Sequence, residues 1–177
     1  MAKTVVVFHS GYGHTERVAS FVAEGAKAAI ITIDADGNLS DADWATLDAA
    51  DAIIFGSPTY MGMASWQFKK FADATSKRWF TSAWKDKVAG GFTISASPSG
   101  DKLSTIQYFI TLAMQNGMIW VGQPALNDGT INRLGSNSGL MAQVGPTSPA
   151  SDIPQGDLDT AKAYGQRVAE VASKLRG

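Results

Sequence analysis

A glycine-rich loop near the start of the chain has the residue types that bind phosphate in proteins. Its sequence is His9-Ser10-Gly11-Tyr12-Gly13-His14-Thr15, and it connects a short apolar run to a helical pattern. Gly11 and Gly13 allow the backbone to curl so that its N–H groups converge at the positive end of a helix. Ser10 and Thr15 add hydroxyl donors. The loop has no lysine in the G-x-x-x-x-G-K-[ST] arrangement, so we predict a site for a phosphomonoester and not for a nucleoside triphosphate.

A dinucleotide fingerprint is the competing interpretation of this loop. Gly11-Tyr12-Gly13 begins a G-x-G pattern, and Asp34 lies near the end of the second apolar run, where it could bind a ribose. However, Glu16 occupies the third glycine position and would bring a carboxylate close to a pyrophosphate. The loop hydroxyls are better suited to a terminal phosphate, although this pattern alone leaves both interpretations open.

Two further loops have small and polar residues after apolar runs. They are Gly56-Ser57-Pro58-Thr59-Tyr60-Met61-Gly62 and Ser95-Ala96-Ser97-Pro98-Ser99-Gly100. Their backbone groups could meet the polar edge of a flat heterocycle, while Tyr60 and Met61 could cover its apolar part. We therefore predict that three loops converge on one ligand.

The elements that must position these loops alternate between strand and helix. Five short apolar runs predict strands at Thr4–Phe8, Ala29–Ile33, Ala52–Phe55, Val88–Ile94 and Met118–Val121, with helical periodicity between them and in a long final segment. Ser40-Asp41-Ala42-Asp43 resembles a capping box and predicts a further helix start. This order predicts an α/β, doubly wound parallel sheet with helices on both faces, in which ligands bind at the carboxyl ends of the strands.

The whole chain, residues 1–177, is predicted to be a single domain. Residues 123 to 156 contain four of the six prolines and are too long for an ordinary connection, which suggests a role in function or assembly. Only one helix is predicted after this segment, too little for a second domain.

The three loops resemble the FMN loops of the flavodoxin-like NAD(P)H:quinone oxidoreductases of the tryptophan-repressor-binding-protein type. The matching stretches are Ser10–Thr15, Gly56–Gly62 and Phe92–Ser97, and the similarity extends through Asn116-Gly117-Met118 to the final helix. The resemblance implies a flavodoxin-like five-stranded sheet in the order 2-1-3-4-5 and one FMN held without a covalent bond.

The resemblance also implies a role for each loop. The FMN phosphate would be held by Ser10, Gly11, Tyr12, Gly13, His14 and Thr15. One side of the isoalloxazine would be lined by Pro58, Thr59, Tyr60, Met61 and Gly62. The ribityl chain and the ring edge would meet Ser95, Ala96, Ser97, Pro98, Ser99, Gly100 and Asp101. Trp79 matches a tryptophan that in this family reaches the flavin of a neighbouring subunit, with a core or helix-end aromatic as the alternative, and residues 123–156 would pack across a subunit interface.

The sequence departs from that family pattern in three places. The segment after the second strand is shorter, Tyr60 replaces the usual arginine, and Ser97–Asp101 replaces a glycine-rich stretch. The first difference leaves open whether the chain forms a homodimer or a homotetramer. The other two leave the choice between NADH and NADPH, and the identity of the acceptor, undetermined.

Composition excludes several other kinds of chemistry. The chain has no cysteine and two histidines, so we predict no disulfide, no thiolate catalysis and no metal site. No export or membrane-spanning pattern is present, and we expect a cytoplasmic protein. The net charge is −1, with aspartates clustered between residues 34 and 51 and basic residues between 69 and 87. Without a basic excess, we predict no nucleic-acid partner.

The function that follows is an FMN-dependent oxidoreductase. A hydride would pass from NADH or NADPH to flavin N5 and then to a quinone, so the protein itself needs no catalytic residue. His14, beside the phosphate, is expected to contact it or to have a structural role and not to transfer protons. The alternative is a flavodoxin-type electron carrier without a substrate of its own, for which a net charge of −1 provides little electrostatic steering.

Overall fold

A computed structural model describes residues 2–177. Its strands are β1 (Thr4–Phe8), β2 (Ala29–Thr32), β3 (Ala52–Tyr60), β4 (Met63–Ala64), β5 (Val88–Ser95), β6 (Ile119–Trp120) and β7 (Leu140–Gln143). Its helices are α1 (His14–Ala26), α2 (Asp41–Asp48), α3 (Trp66–Ala74), α4 (Ser76–Phe80), α5 (Lys102–Gln115) and α6 (Gln155–Arg176), with a 3-10 turn at Ala150–Asp152. No helix in this part of the chain has the length and apolar character needed to cross a membrane.

The sheet has the order β2-β1-β3-β5-β6, and neighbours along this path are parallel. The predicted doubly wound parallel sheet and its strand order are therefore confirmed. Two strands lie off this path. The short β4 returns antiparallel to the end of β3, and β7 is parallel to the second half of β5. The fifth position of the sheet is thus shared by β6 and β7, and β7 comes from the long segment 123–156.

A hydrophobic core fills each face of the sheet. On one face, α1 and α6 cross so closely that a Cβ on Gly25 would lie 1.8 Å from the Lys162 carbonyl oxygen, and one on Gly165 would lie 2.0 Å from that of Val22. The other face is covered by α2, α3 and α5. The capping box that the sequence predicts at Ser40 is present, with the Ser40 hydroxyl accepting from the Asp43 amide. A glycine on each helix at this crossing lets α1 lie directly against α6, beside the strand that leads into the phosphate loop.

One tyrosine hydroxyl takes part in the sheet hydrogen bonding. The Val121 amide, just after β6, still donates to the Ala89 carbonyl of β5. After Val121 the chain turns away from β5, and the Tyr164 hydroxyl lies between the two. It accepts from the Gly91 amide at 3.0 Å and donates to the Val121 carbonyl at 2.8 Å. A Cβ on Gly90 would lie 2.8 Å from this hydroxyl oxygen, so only glycine leaves room for it. Tyr164 therefore joins β5 to the chain that leaves β6.

The acidic and basic clusters are partly paired with each other. Arg78 donates to both carboxylate oxygens of Asp48, at 3.2 and 3.0 Å, and its guanidinium lies 4.3 Å from the centre of the Trp44 ring. The Trp84 indole N–H donates to the same carboxylate. Lys87 donates to the carbonyls of Asp48 and Ala50. These contacts fix α2 against α4 and reduce the charge separation suggested by the sequence.

Candidate functional site

A cavity of about 210 Å³ opens at the carboxyl edge of the sheet. It is lined by Tyr12, His14, Thr15, Pro58, Thr59, Tyr60, Ile94, Ser95, Ala96, Val144 and Pro146. Each of the three stretches singled out in the sequence contributes to this wall, but the second was wrongly predicted to be a loop from Gly56 onward, because β3 continues to Tyr60 and only Met61 and Gly62 form the turn. The position agrees with the general rule that open α/β sheets bind ligands beyond the carboxyl ends of their strands.

The first loop presents an anion-binding backbone at one end of the cavity. Gly13 has φ +83°, a left-handed conformation that glycine adopts without strain, and α1 begins at the next residue. The Ser10 hydroxyl accepts from the amides of Gly13 and Glu16, at 3.1 and 3.2 Å, which leaves its proton free to be donated. Within residues 2–177, the amides of Tyr12, His14 and Thr15 have no hydrogen-bond partner. These donors, at the positive end of a helix, suit a phosphate dianion.

Tyr60 lies against the glycine of this loop. A Cβ built on Gly11 would come 2.6 Å from the Tyr60 hydroxyl, and the rings of Tyr12 and Tyr60 meet edge to face with centroids 6.2 Å apart. Burial, followed by the neighbouring Tyr12, raises the pKa of Tyr60, so its hydroxyl stays protonated at neutral pH. The two rings provide an apolar wall beside the phosphate loop, suited to a flat aromatic ligand.

A tight turn links Tyr60 to the returning strand β4. Met61 and Gly62, at φ 48° and 79°, form the two-residue connection between Tyr60 and Met63. Two left-handed residues are typical of a type I′ hairpin, in which asparagine is preferred at the first position. Met61 is instead fully exposed and strained. The turn therefore presents an exposed apolar side chain directly after Tyr60, which lines the cavity.

Buried polar groups support the second loop from behind. The His9 ring Nδ1 lies 2.9 Å from the Ser65 hydroxyl, and the Ser65 amide donates to the Ser57 hydroxyl at 3.0 Å. Ser57 in turn donates to the carbonyl of Pro58 at 2.9 Å. Burial lowers the pKa of His9, which favours a neutral ring. This chain of contacts fixes the backbone at Pro58 in one orientation.

A buried lysine that the sequence analysis did not select holds the third loop. The Lys102 ammonium donates to the Ser95 hydroxyl at 3.0 Å and to the carbonyls of Ser97 and Pro98 at 2.6 and 3.0 Å. No part of the residue is exposed, and burial lowers the pKa of Lys102 to about 8. The signal was present in the sequence, because Lys102 lies on the same helical face as the apolar residues Ile106 and Phe109.

The long segment 123–156 also contributes to the site. Val144 and Pro146 line the cavity, and the His14 ring Nε2 lies 2.7 Å from the Ser148 carbonyl oxygen. Gln143, at the end of β7, donates to the Ala96 carbonyl at 2.8 Å. Sequence reasoning marked this segment as functional by its length but identified none of these residues. Their contacts depend on the alignment of β7 with β5, for which the sequence has no local signal.

The acidic residue of the competing dinucleotide site is used within its own loop. Asp34 accepts hydrogen bonds from the amides of Asp36 and Asn38, at 3.0 and 2.7 Å, and the bond from Asn38 is the main cause of its lowered pKa. Both bonds go to the Oδ1 atom, while Oδ2 lies 3.5 Å from the Asn38 side-chain nitrogen. Glu16 is exposed on α1, and its amide is held by Ser10.

Several predicted residues lie away from the cavity wall. Ser97, Pro98 and Ser99 are exposed on the outer part of the third loop. Trp79 lies on α4 and is 53% exposed, and it does not line this cavity. Its assignment to a substrate site stays a prediction.

The sequence matches the family model described as NADPH-dependent FMN reductase over residues 4–132. It is 50% identical over 182 residues to "Flavodoxin FldP" of Pseudomonas aeruginosa, covering 99% of both chains. It is 34% identical over 203 residues to an "NAD(P)H dehydrogenase (quinone)" of Azorhizobium caulinodans, covering 100% of both. A solved structure, "the flavodoxin, WrbA-like protein from Agrobacterium tumefaciens", has 55% identity and a TM-score of 0.83, covering 98% of this chain and 99% of that one.

Proposed function

Because this chain belongs to the NADPH-dependent FMN reductase family, we propose that it binds FMN and passes a hydride from NADH or NADPH through the flavin to a quinone-type acceptor. The observation that carries the proposal is the set of amides at Tyr12, His14 and Thr15 that have no hydrogen-bond partner within residues 2–177, beside a cavity with aromatic and polar walls. A phosphate at one end and a flat ring at the other match FMN. Nothing in the first loop would bind a second or third phosphate.

The chain's own residues bind and orient the cofactor. The first loop would neutralise the phosphate through its amides and the hydroxyls of Ser10 and Thr15. Tyr60 would cover one side of the ring, and the loop 95–101 would meet the ribityl chain and the polar ring edge. The flavin, when bound, supplies the hydride chemistry at its N5 atom, so no protein acid or base is required.

The second candidate is an electron carrier that uses FMN without a substrate of its own. The observation that favours it is the printed name of the relative at 50% identity, a flavodoxin. The charge distribution supports the reductase instead, because Asp48 is paired with Arg78 and the net charge is only −1. A carrier that docks by charge relies on a stronger field of one sign.

We also propose that the chain acts as one domain in the cytoplasm and assembles as a homodimer or a homotetramer. In such an assembly Trp79 would reach the flavin of a neighbouring subunit. Light scattering at micromolar concentration tests the assembly, and a monomer would contradict it. Trp79→Ala should then raise the KM for quinone and leave FMN affinity unchanged.

Anaerobic spectroscopy separates the two functions. Purified protein is loaded with FMN, freed of excess flavin, and mixed first with NADH or NADPH and then with a benzoquinone. Rapid loss of the flavin absorbance with a nucleotide, followed by full recovery with quinone, is expected of the reductase. Bound flavin that neither nucleotide reduces would identify a carrier.

A further inference from the structure

Lys102 is the lysine that the fold buries at the cavity edge. It is the first residue of α5, it has no exposed surface, and its side chain points back under the third loop. Its three hydrogen bonds go to the Ser95 hydroxyl and to the carbonyls of Ser97 and Pro98. An ammonium has three protons to donate, so every one of them is used to hold this loop.

These bonds determine which way the loop amides point. In a planar trans peptide, the carbonyl and the following N–H point in opposite directions. The Pro98 carbonyl points to the buried Lys102 ammonium, and the Ala96 carbonyl points to the Gln143 side chain of β7. The Ser99 N–H therefore points away from Lys102 and the Ser97 N–H points away from Gln143, and within the described chain neither has a hydrogen-bond partner. The exposed loop thus keeps two amide donors available while Lys102 holds it from beneath.

The positive charge of Lys102 is not neutralised by a carboxylate in contact with it. The charged groups that face it are the Asp157 carboxylate of α6 and the Arg133 guanidinium. Arg133 donates to Asp157 at 2.9 Å, and these opposite charges largely cancel each other. Desolvation of an ammonium without a counter-ion is the main cause of the lowered pKa of Lys102, to about 8. A ligand that gains negative charge at this edge would stabilise the ammonium in return.

Resting on the proposed binding of FMN, we propose that Lys102 is a positioning residue that holds loop 95–101 in place and, through its charge, makes the site bind reduced FMN more tightly than oxidised FMN. Two-electron reduction of FMN takes up one proton at N5 and leaves a negative charge on the ring. A cation held beneath the loop that would meet the ring edge favours that state, and this preference raises the flavin midpoint potential.

The test compares Lys102→Met, Lys102→Arg and a control, Lys85→Met, in the full chain loaded with FMN. Lys85 is exposed and makes no side-chain hydrogen bond within residues 2–177. The measurements are the affinity for oxidised FMN by fluorescence and the midpoint potential by anaerobic dithionite titration with a reference dye. Lys102→Met should lower the preference for reduced FMN at least about tenfold, which is about 30 mV for a two-electron couple. Lys102→Arg should recover most of that loss, and Lys85→Met should match the wild type.

Two outcomes would overturn the inference. A wild-type potential in Lys102→Met would show that Lys102 does not cause the preference for reduced FMN, and a shift in Lys102→Arg as large as that in Lys102→Met would show that the charge is not the cause. Failure of the wild-type chain to retain FMN would instead overturn the proposed function itself.

A measurement on the wild-type protein covers the case in which Lys102→Met does not fold. The midpoint potential of FMN bound to the wild-type chain should lie above that of free FMN at the same pH, because a site that binds reduced FMN more tightly raises the potential. A bound potential at or below that of free FMN would also overturn the inference.

Discussion

The replacement Tyr164→Phe tests whether the Tyr164 hydroxyl joins β5 to the chain that leaves β6. The change removes one oxygen and leaves a buried ring in place. That oxygen accepts from the Gly91 amide at 3.0 Å and donates to the Val121 carbonyl at 2.8 Å. Tyr164 is 1% exposed, so water does not replace the lost hydroxyl from solvent. Two buried backbone groups therefore lose their partner at once.

The expected cost follows from those two groups. A buried polar group left without a hydrogen bond costs about 1–3 kcal/mol, and we expect Tyr164→Phe to lower the free energy of unfolding by roughly 2–4 kcal/mol. For a chain of this length, each kcal/mol shifts Tm by roughly 2–4 °C. The melting temperature should therefore fall by roughly 5–15 °C. The loss of free energy is a large part of the total stability of a typical domain.

Urea unfolding of the apo-protein, followed by circular dichroism, measures this change. The control is Tyr108→Phe, because the Tyr108 hydroxyl makes no hydrogen bond within the described residues, although its ring is half-buried where that of Tyr164 is fully buried. We expect the control to change the free energy of unfolding by less than about 0.5 kcal/mol. Equal effects of the two variants, or no effect of Tyr164→Phe, would refute the bridging role. Hydrogen exchange at the Gly91 amide should also accelerate only in Tyr164→Phe.

Two further predictions concern the phosphate loop. Gly11→Ala places a Cβ 2.6 Å from the Tyr60 hydroxyl and should displace that ring, so we expect about tenfold weaker FMN binding. The double variant Gly11→Ala/Tyr60→Phe should recover the affinity, and no recovery would show that displacement of the ring is not the cause. Ser10→Ala removes the hydroxyl available to the phosphate and should also weaken FMN binding about tenfold. The control is Ser20→Ala, on the exposed face of α1, and it should bind FMN like the wild type in the same fluorescence titration.

The fold could be predicted largely from local signals. Three kinds of signal depend only on residues close together in sequence: apolar runs of strand length, the glycines after the first run, and the Ser40 capping box. The order of the sheet followed from the resemblance to a known family. The exchange of β6 for β7 beside β5 was not predictable in this way, because Leu140–Gln143 has no strong strand pattern and gains its partner only through the tertiary fold.

The residues of the site also fall into those that local sequence signals predict and those that only the tertiary fold brings together. Segments at the carboxyl ends of parallel strands must lie close together, so Thr15, Pro58 and Ser95 could be predicted from sequence to share one site. Val144 was missed because it reaches the cavity from a segment without regular spacing. Lys102 was missed for a different reason, since a lysine at the start of a helix is usually exposed and only its alignment with the apolar face of α5 marked it as buried.

The most direct test of the central claim is the comparison of FMN with riboflavin in a fluorescence titration of the apo-protein. The two ligands differ only in the phosphate that the loop 10–15 is proposed to bind. Hydrogen bonds to a charged group contribute about 1.5–3 kcal/mol each, so FMN should bind at least about 100-fold more tightly than riboflavin. Equal affinities for the two flavins, or no retention of FMN, would contradict the account.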